Sequence, residues 1–168
     1  MKKAYLAIIL VIVTTSTIFA QSPLPKGQTQ LNLGVGLSSW GIPLYIGLDH
    51  AIHKDVTLGG EVSYRSFNER FNDRNRYNHS VIGVSGNVNY HFNSLLNIPS
   101  NWDFYAGLNI GFYYWNTRHD YPGHYRSGLG LGAQVGGRYY FTDRFGVNLE
   151  LGGGNAFSGG KFGISVKL

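Results

Sequence analysis

The chain has 168 residues and a formal net charge of +5, and it contains 24 glycines and no cysteine. The length fits a single domain, and without cysteine we expect neither disulfides nor a lipid-anchoring thiol. Only 14% of the residues are charged, against about 25% in an average soluble domain, and the basic residues are scattered, which argues against nucleic acid as a partner.

The first twenty residues have the order of a secretory signal peptide. Lys2 and Lys3 precede an apolar run, residues 4–13, and Ala20 places a small residue before Gln21. An apolar run of this length is too short to span a bilayer as a helix, which takes about twenty residues. We therefore expect residues 1–20 to be removed and residues 21–168 to form the mature domain.

From Leu31 onward, apolar residues recur at every second position, which is the period of a β-strand. Eight segments show the pattern: 31–38, 42–49, 56–65, 82–92, 102–112, 129–141, 147–152 and 161–168. Several are near the length of a tilted membrane strand, about ten residues, and no segment after residue 20 has a convincing helical pattern. The predicted fold class is all-β, an eight-stranded antiparallel up-and-down transmembrane β-barrel.

The predicted connections differ in length in an ordered way. Residues 53–55 and 142–144 form tight turns, residues 93–101 are intermediate, and residues 68–78 and 116–126 are long and polar. If the chain starts in the periplasm, both tight turns fall on the periplasmic side and both long connections fall outside. Bacterial outer-membrane barrels have this asymmetry.

The direction of the apolar face decides between a membrane barrel and a soluble lipid-carrying barrel, which keeps its apolar face inside. Here the polar face is rich in glycine and poor in charge, so it would make a poor water-exposed surface. Aromatic residues also gather near strand ends, as they do at membrane interfaces. They are Trp40, Tyr64, Phe67, Tyr90, Phe92, Trp102, Phe104, residues 113–115, residues 139–141 and Phe145. Both features favour an apolar face toward lipid.

The polar face then lines the interior, where buried charges must pair. Its charged residues are Asp49, Glu61, Arg65, Asp103, Arg138, Glu150, Lys161 and Lys167. An eight-stranded barrel is just wide enough to be filled by its own side chains. We expect a plugged or very narrow interior with a network of Glu61 and Glu150 with Arg65 and Arg138 at its centre.

Three segments carry a resemblance to a known family: Gly-Leu-Asp at 47–49, Val-Thr-Leu-Gly-Gly-Glu-Val-Ser-Tyr at 56–64 and Gly-Gly-Arg-Tyr-Tyr-Phe-Thr-Asp-Arg-Phe-Gly-Val at 136–147. From Gln28 to Leu168 the chain resembles the small outer-membrane β-barrel proteins grouped around the OmpA transmembrane domain and OmpX. The resemblance implies a bacterial outer-membrane location, insertion by the barrel-assembly machinery and contact with outer-membrane lipid and lipopolysaccharide. The chain ends on Leu168, where such barrels commonly end on Phe. We expect a monomer.

The connection 116–126 carries basic and aromatic residues: Arg118, His119, Tyr121, His124, Tyr125 and Arg126. They could bind lipopolysaccharide phosphates or a host or phage surface; the alternative is a solvated loop tip. His119, Asp120 and His124 are metal-ligating types, but a flexible loop rarely holds ligands without support. We therefore expect no metal and no cofactor.

A lipid A-modifying enzyme is the least favoured function. Deacylases of this barrel class use a His and a Ser two positions apart on one strand face. His79 and Ser80 are adjacent, and His124 and Ser127 are three apart, so neither pair shares a face. We expect no enzyme: the leading function is structural or a surface-loop interaction, and the alternative is a small porin-like diffusion channel.

Overall fold

The structure, a computed structural model, describes residues 23–38, 41–71, 75–116, 127–154 and 158–168, except for the side chains of residues 67–78. It contains eight strands: β1 (Thr29–Ser38), β2 (Leu44–His53), β3 (Val56–Phe71), β4 (Asn75–His91), β5 (Trp102–Asn116), β6 (Gly128–Tyr140), β7 (Phe145–Gly154) and β8 (Gly159–Lys167). Each strand pairs antiparallel with the next, and β8 pairs with β1 to close the barrel. The predicted fold class is confirmed. The predicted signal peptide, residues 1–20, lies outside the described residues and stays a prediction.

The connections after the even-numbered strands meet at one end of the barrel, called the periplasmic end below. Lys54 and Asp55 join β2 to β3, and residues 141–144 join β6 to β7, so both predicted tight turns are confirmed. The connection from β4 to β5 contains one helical turn, α1 (Asn93–Leu96), which the sequence did not predict. Among the described residues, no helix is both long and apolar enough to cross a membrane.

At the opposite end, β3 and β4 extend beyond their neighbours. Their pairing continues to Phe71 and Asn75, whereas β2 stops pairing with β3 at Tyr64 and β5 stops pairing with β4 at Ser80. The predicted long connection 68–78 is therefore wrong, because most of it continues the hairpin ladder and only residues 72–74 lie between the strands. The other long connection, beyond Asn116, lies outside the described residues.

The outer face of the barrel is apolar and the inner face is polar. Leu108 and Leu129 are 68% and 72% exposed on the outside, while Asp103 and Arg138 on the same strands face inward and are 1% and 3% exposed. A closed barrel with this arrangement matches the membrane type, in which lipid covers the outer band. The predicted direction of the alternation is confirmed.

Two groups of exposed aromatic residues lie on the outer face, one near each end. Trp102, Phe104 and Tyr139 form a cluster at the periplasmic end, with the rings of Trp102 and Tyr139 4.7 Å apart. Tyr64 and Tyr114 are exposed at the other end. This agrees with the predicted interface positions.

Three residues assigned to these aromatic groups were assigned wrongly. Tyr113, Trp115 and Tyr140 occupy the alternate positions and face the interior, where Tyr140 is buried and Trp115 lies beneath Arg65. The strand period explains the error, because only every second residue of an aromatic run reaches the lipid face. Trp40 and the Phe67 side chain lie outside the part of the chain that is described.

The barrel interior as candidate functional site

A continuous chain of hydrogen bonds and ion pairs links all eight strands through the interior. We call it the eight-strand network; its members, in order of contact, are Tyr45, Asn148, Ser165, Asn32, Asp49, Arg138, Asp103, His91 and Thr57. Its contacts are between 2.6 and 3.0 Å long. Every member is nearly or fully buried. The network therefore includes a residue of every strand, and three of its contacts join strands that are distant in sequence: β2 with β7, β2 with β6, and β1 with β8.

Arg138 is the centre of this network. Its Nη2 donates to Asp49 Oδ2 at 2.6 Å, and its Nη1 donates to Asp103 Oδ2 at 2.9 Å. Because β6 and β2 are four strands apart in a barrel of eight, the pair with Asp49 spans the diameter of the lumen. The guanidinium also lies 4.3 Å from the ring centroid of Tyr105, within cation–π range.

His91 extends the network toward the periplasmic end. Its Nδ1 lies 2.7 Å from Asp103 Oδ1, and its Nε2 lies 3.0 Å from Thr57 Oγ1. With the proton on Nδ1, the imidazole donates to the carboxylate and accepts from the Thr57 hydroxyl. Asp103 thus receives donors on both oxygens, which satisfies a carboxylate that water does not reach.

A second ionic group, the Lys161 cluster, lies on the outer side of the network and consists of Lys161, Glu61 and Glu150. Lys161 Nζ is 2.7 Å from Glu61 Oε1 and 3.2 Å from Glu150 Oε1. The Tyr105 hydroxyl donates to Glu150 Oε2 at 2.8 Å. Tyr105 therefore joins the two groups, since its ring contacts Arg138 and its hydroxyl contacts Glu150.

The pairing differs from the one expected from sequence, which joined Glu61 and Glu150 to Arg65 and Arg138. The strand register gives the reason. Asp103 lies directly opposite Arg138 in the β5–β6 pairing, and Glu150 lies directly opposite Lys161 in the β7–β8 pairing. Directly opposed residues are the ones that interact across a sheet.

The two remaining predicted interior charges lie at opposite ends of the barrel, and both face inward. Arg65 is 4% exposed near the outer end, with its guanidinium carbon 5.9 Å from the Trp115 ring. Lys167 lies at the periplasmic end, with Nζ 3.9 Å from the Tyr140 ring centroid. The structure thus places all eight predicted charges on the inner face but divides them among separate groups.

Neutral polar residues, which the sequence reasoning did not single out, carry much of the interior. Besides the network members, Gln134 Oε1 accepts from Asn109 Nδ2 at 2.8 Å, and Gln134 Nε2 donates to Asn89 Oδ1 at 2.7 Å. Tyr140 hydrogen-bonds to Gln30 on β1. The sequence signal that could have identified these neutral residues is their position on the polar face of the alternation. His91 was on that face too but did not stand out from the other histidines.

The space left between these side chains is small. One cavity of about 30 Å³ lies beside Arg65, Tyr113 and the Lys161 cluster, and another of about 20 Å³ lies between that cluster and Arg138. Since one water needs about 10–15 Å³ by this measure, each holds about one to three waters. Lys161, Glu61 and Glu150 line both cavities and stand between them.

Residues 23–28 cross the periplasmic mouth of the barrel. Gly27 N–H donates to the carbonyl of Ala51 on β2 at 2.7 Å, while Pro23 and Pro25 line a pocket with Tyr140 and the β6–β7 turn. Those two anchor points lie on opposite walls, as β2 and β6 do. Leu24, between the prolines, is only 2% exposed.

Gly136 is the position that lets Tyr105 lie under Arg138. The two residues are directly opposite in the β5–β6 pairing, and the Tyr105 ring occupies the space that a Cβ at Gly136 would need. We predict that Gly136→Ala lowers the free energy of unfolding by about 1–3 kcal/mol, because the ring must move off Arg138. Urea unfolding in phospholipid vesicles measures this. Gly153→Ala is the control: no atom lies within 4 Å of its Cβ position, and a change beyond about 0.5 kcal/mol is not expected there.

The predicted outer-loop residues Arg118, His119, Tyr121, His124, Tyr125 and Arg126 lie outside the described residues, as does Asp120. Within the described ranges there is no group of three or more His, Asp or Glu suited to a metal ion. His79 faces the interior of β4 and is 1% exposed. Ser80, its neighbour, points to the other face.

No model of a known protein family matches the sequence, and no curated protein sequence matches it. Several solved structures share its fold. OprG from Pseudomonas aeruginosa has a TM-score of 0.65 at 8% identity, over 86% of this chain and 97% of that one. The N-terminal β-barrel domain of OprF from the same organism has a TM-score of 0.56 at 15% identity, over 85% and 98%.

A third similar structure is Ail, the attachment invasion locus protein of Yersinia pestis, in complex with the heparin analogue sucrose octasulfate. It has a TM-score of 0.54 at 12% identity, over 86% of this chain and 100% of that one. At these identities the likeness is one of fold, and the predicted resemblance is confirmed at that level. Closed, apolar outside and polar inside, the chain has the fold of the small eight-stranded outer-membrane β-barrels.

Proposed function

We propose that the protein is a structural barrel that spans the outer membrane and whose lumen is closed by its own side chains. The observation that carries the proposal is the ion pair of Arg138 with Asp49, which joins opposite walls. A solute moving along the barrel axis would have to break it. Breaking a buried pair leaves charges without partners, which is strongly unfavourable.

Closure rests on three barriers in series. From the outer side they are the Lys161 cluster, the eight-strand network around Arg138, and residues 23–28 with buried Leu24. Contacts to other parts of the barrel hold each of the three. The loss of one barrier would therefore leave the other two in place.

Single-channel recording in planar bilayers tests this proposal. We predict no stable conductance of porin size for the protein, and none for a variant that lacks residues 21–27, because the two ionic barriers remain. Combining Arg138→Ala with Lys161→Ala should produce brief openings, since two barriers are then lost. A general porin in the same bilayers serves as the positive control. The matched control variant is Arg144→Ala, a substitution in an exposed turn.

A stable porin-like conductance of the unaltered protein would overturn the proposal and favour the alternative, a small diffusion channel. This conclusion requires that the recorded protein is folded. Folding is verified by gel electrophoresis, in which a folded barrel migrates differently before and after heating. We assign the barrel no reaction, in line with the spacing of its histidines and serines.

A second role is proposed for the connection 116–126, with lipopolysaccharide as its ligand. Two arginines, two histidines and two tyrosines within nine residues suit phosphate and sugar groups, and the Ail structure shows that one barrel of this fold binds a polyanionic sugar. Arg118→Ala with Arg126→Ala should weaken lipopolysaccharide binding by at least about fivefold, measured by calorimetry. Unchanged binding, equal to that of Arg144→Ala, would mean that the connection is a solvated loop.

A further inference from the structure

The connection from β4 to β5 exposes two neighbouring leucines at the periplasmic end of the barrel. Leu95 and Leu96 of α1 are 65% and 62% exposed, and residues 92–102 contain no charged residue. The other two connections at this end both carry charge, with Lys54 and Asp55 in one and Asp143 and Arg144 in the other. The β4–β5 connection is therefore suited to an apolar neighbour, whereas the other two are suited to water.

The helical turn α1 places these leucines on the lipid-facing side of the barrel. Phe92, the residue before α1, lies on that side beside Trp102. The Leu96 N–H donates to the Phe92 carbonyl at 2.9 Å, so the two residues are one helical turn apart. Residues three and four positions apart on a helix share a face, which puts Leu95 and Leu96 on the face of Phe92. The lipid-facing band of the barrel therefore continues onto α1.

Hydrogen bonds fix the height of α1 relative to the start of β5. The Phe92 N–H donates to the Phe104 carbonyl at 2.9 Å, and the buried Asn93 side chain donates to the Trp102 carbonyl at 2.6 Å. The last turn closes where the Ile98 N–H donates to the Asn93 carbonyl at 3.0 Å. Four helical residues are about 6 Å long, so α1 reaches at most about 6 Å beyond the level of Phe92.

We propose that α1 is an interfacial anchor whose two leucines insert into the periplasmic leaflet of the outer membrane. The headgroup region on each side of a bilayer is about 5–8 Å deep, and interfacial helices bury their apolar faces by about 5–10 Å at its boundary with the acyl chains. The reach of α1 falls within that depth. Continuity identifies the occupant, because Leu95 and Leu96 extend the band of Phe92 and Trp102 that lipid covers. The anchor would fix how deeply the β4–β5 side of the barrel lies in the leaflet.

A fluorescent dye attached to a Leu96→Cys variant tests the proposal in phospholipid nanodiscs, which leave both faces of the bilayer accessible. The chain has no cysteine, so the dye reports on one position. We expect quenching by spin-labelled phospholipids to place it about 15 Å from the bilayer centre, at the edge of the hydrocarbon core, and iodide to quench it weakly. Ser100→Cys is the matched control, because Ser100 is exposed in the same connection but lines the mouth of the barrel. Its dye should be quenched by iodide and little by lipid.

The intrinsic fluorescence of Trp102 provides the second arm of the test. Trp40→Phe with Trp115→Phe leaves Trp102 as the one remaining tryptophan of three. In this background Leu95→Asp with Leu96→Asp should shift the emission to longer wavelength, because charged side chains do not stay in the leaflet and water then reaches the Trp102 ring.

Ser100→Asp adds a charge to the same connection on the side of the barrel mouth and should leave the Trp102 emission unchanged. Equal iodide quenching of the Leu96→Cys and Ser100→Cys dyes, or an emission that the two aspartates do not shift, would overturn the proposal in favour of a water-exposed surface for a periplasmic protein. Energy transfer between copies labelled at Leu96→Cys that persists in excess lipid would overturn it in favour of a second copy of the chain. None of these readouts depends on whether the lumen conducts.

Discussion

Replacing Arg138 by alanine is expected to destabilise the barrel by about 3–5 kcal/mol, the range for a buried charge pair that loses one partner. The side chain is 3% exposed and binds two buried carboxylates, Asp49 and Asp103. Without the guanidinium Asp49 loses its cationic partner and keeps the amide of Asn32 as a donor, while Asp103 keeps His91. Reversible urea unfolding in phospholipid vesicles, followed by tryptophan fluorescence, measures the loss.

Three further variants separate charge from packing at this site. Arg138→Lys keeps the charge but cannot bind both carboxylates as the planar guanidinium does, so we expect an intermediate loss of unfolding free energy. Arg138→Met combined with Asp49→Asn and Asp103→Asn leaves no charge unpaired and should recover most of the stability. Arg144→Ala, on an exposed turn, should stay within about 0.5 kcal/mol of the unaltered protein. An Arg138→Ala loss as small as that of Arg144→Ala would show that the network does not stabilise the fold.

The alternation of the sequence predicted the faces of the strands but could not predict their register. A shift of one residue exchanges the faces, so the pattern excludes it. A shift of two residues keeps every face and changes every partner. The expected link between Glu150 and Arg138 failed for this reason, since Lys161 is the residue opposite Glu150.

The sequence pattern could not predict the burial of Leu24 or the pairing of Arg138 with Asp49, and the reasons differ. Leu24 follows no period, because it lies in a proline-flanked segment that crosses the barrel mouth instead of joining the sheet. The pair of Arg138 with Asp49 depends on the stagger of a closed barrel, which brings residues of β2 and β6 to one level. Neither the order nor the spacing of residues along the chain determines which residues of β2 and β6 lie at the same height along the barrel axis.

The same two-residue period places polar side chains inside the barrel and apolar side chains outside it, and the two sets are stabilised in different ways. Inside, polar groups are removed from water and each network member finds a partner on another strand. Outside, apolar side chains need no partner, because lipid covers them. The same charged residue should therefore be stabilising on one face and harmful on the other.

An arginine placed on the lipid face at the middle of the membrane tests that asymmetry directly. Leu108 lies near the centre of β5, between the aromatic groups at its two ends, and is 68% exposed. We predict that Leu108→Arg lowers the free energy of unfolding in vesicles by about 2–4 kcal/mol, the cost measured for arginine at the midplane of such barrels.

Leu129 offers a control that differs from Leu108 in depth alone. It is 72% exposed on the lipid face but lies at the start of β6, level with Phe112 at the outer end. Leu129→Arg should therefore cost about 0–1 kcal/mol, because the guanidinium reaches the interface. A soluble barrel would tolerate both arginines equally, since both would face water. Equal and small losses would thus contradict the assignment of the apolar face to lipid, whereas a loss that grows with depth follows only if hydrocarbon surrounds the strands.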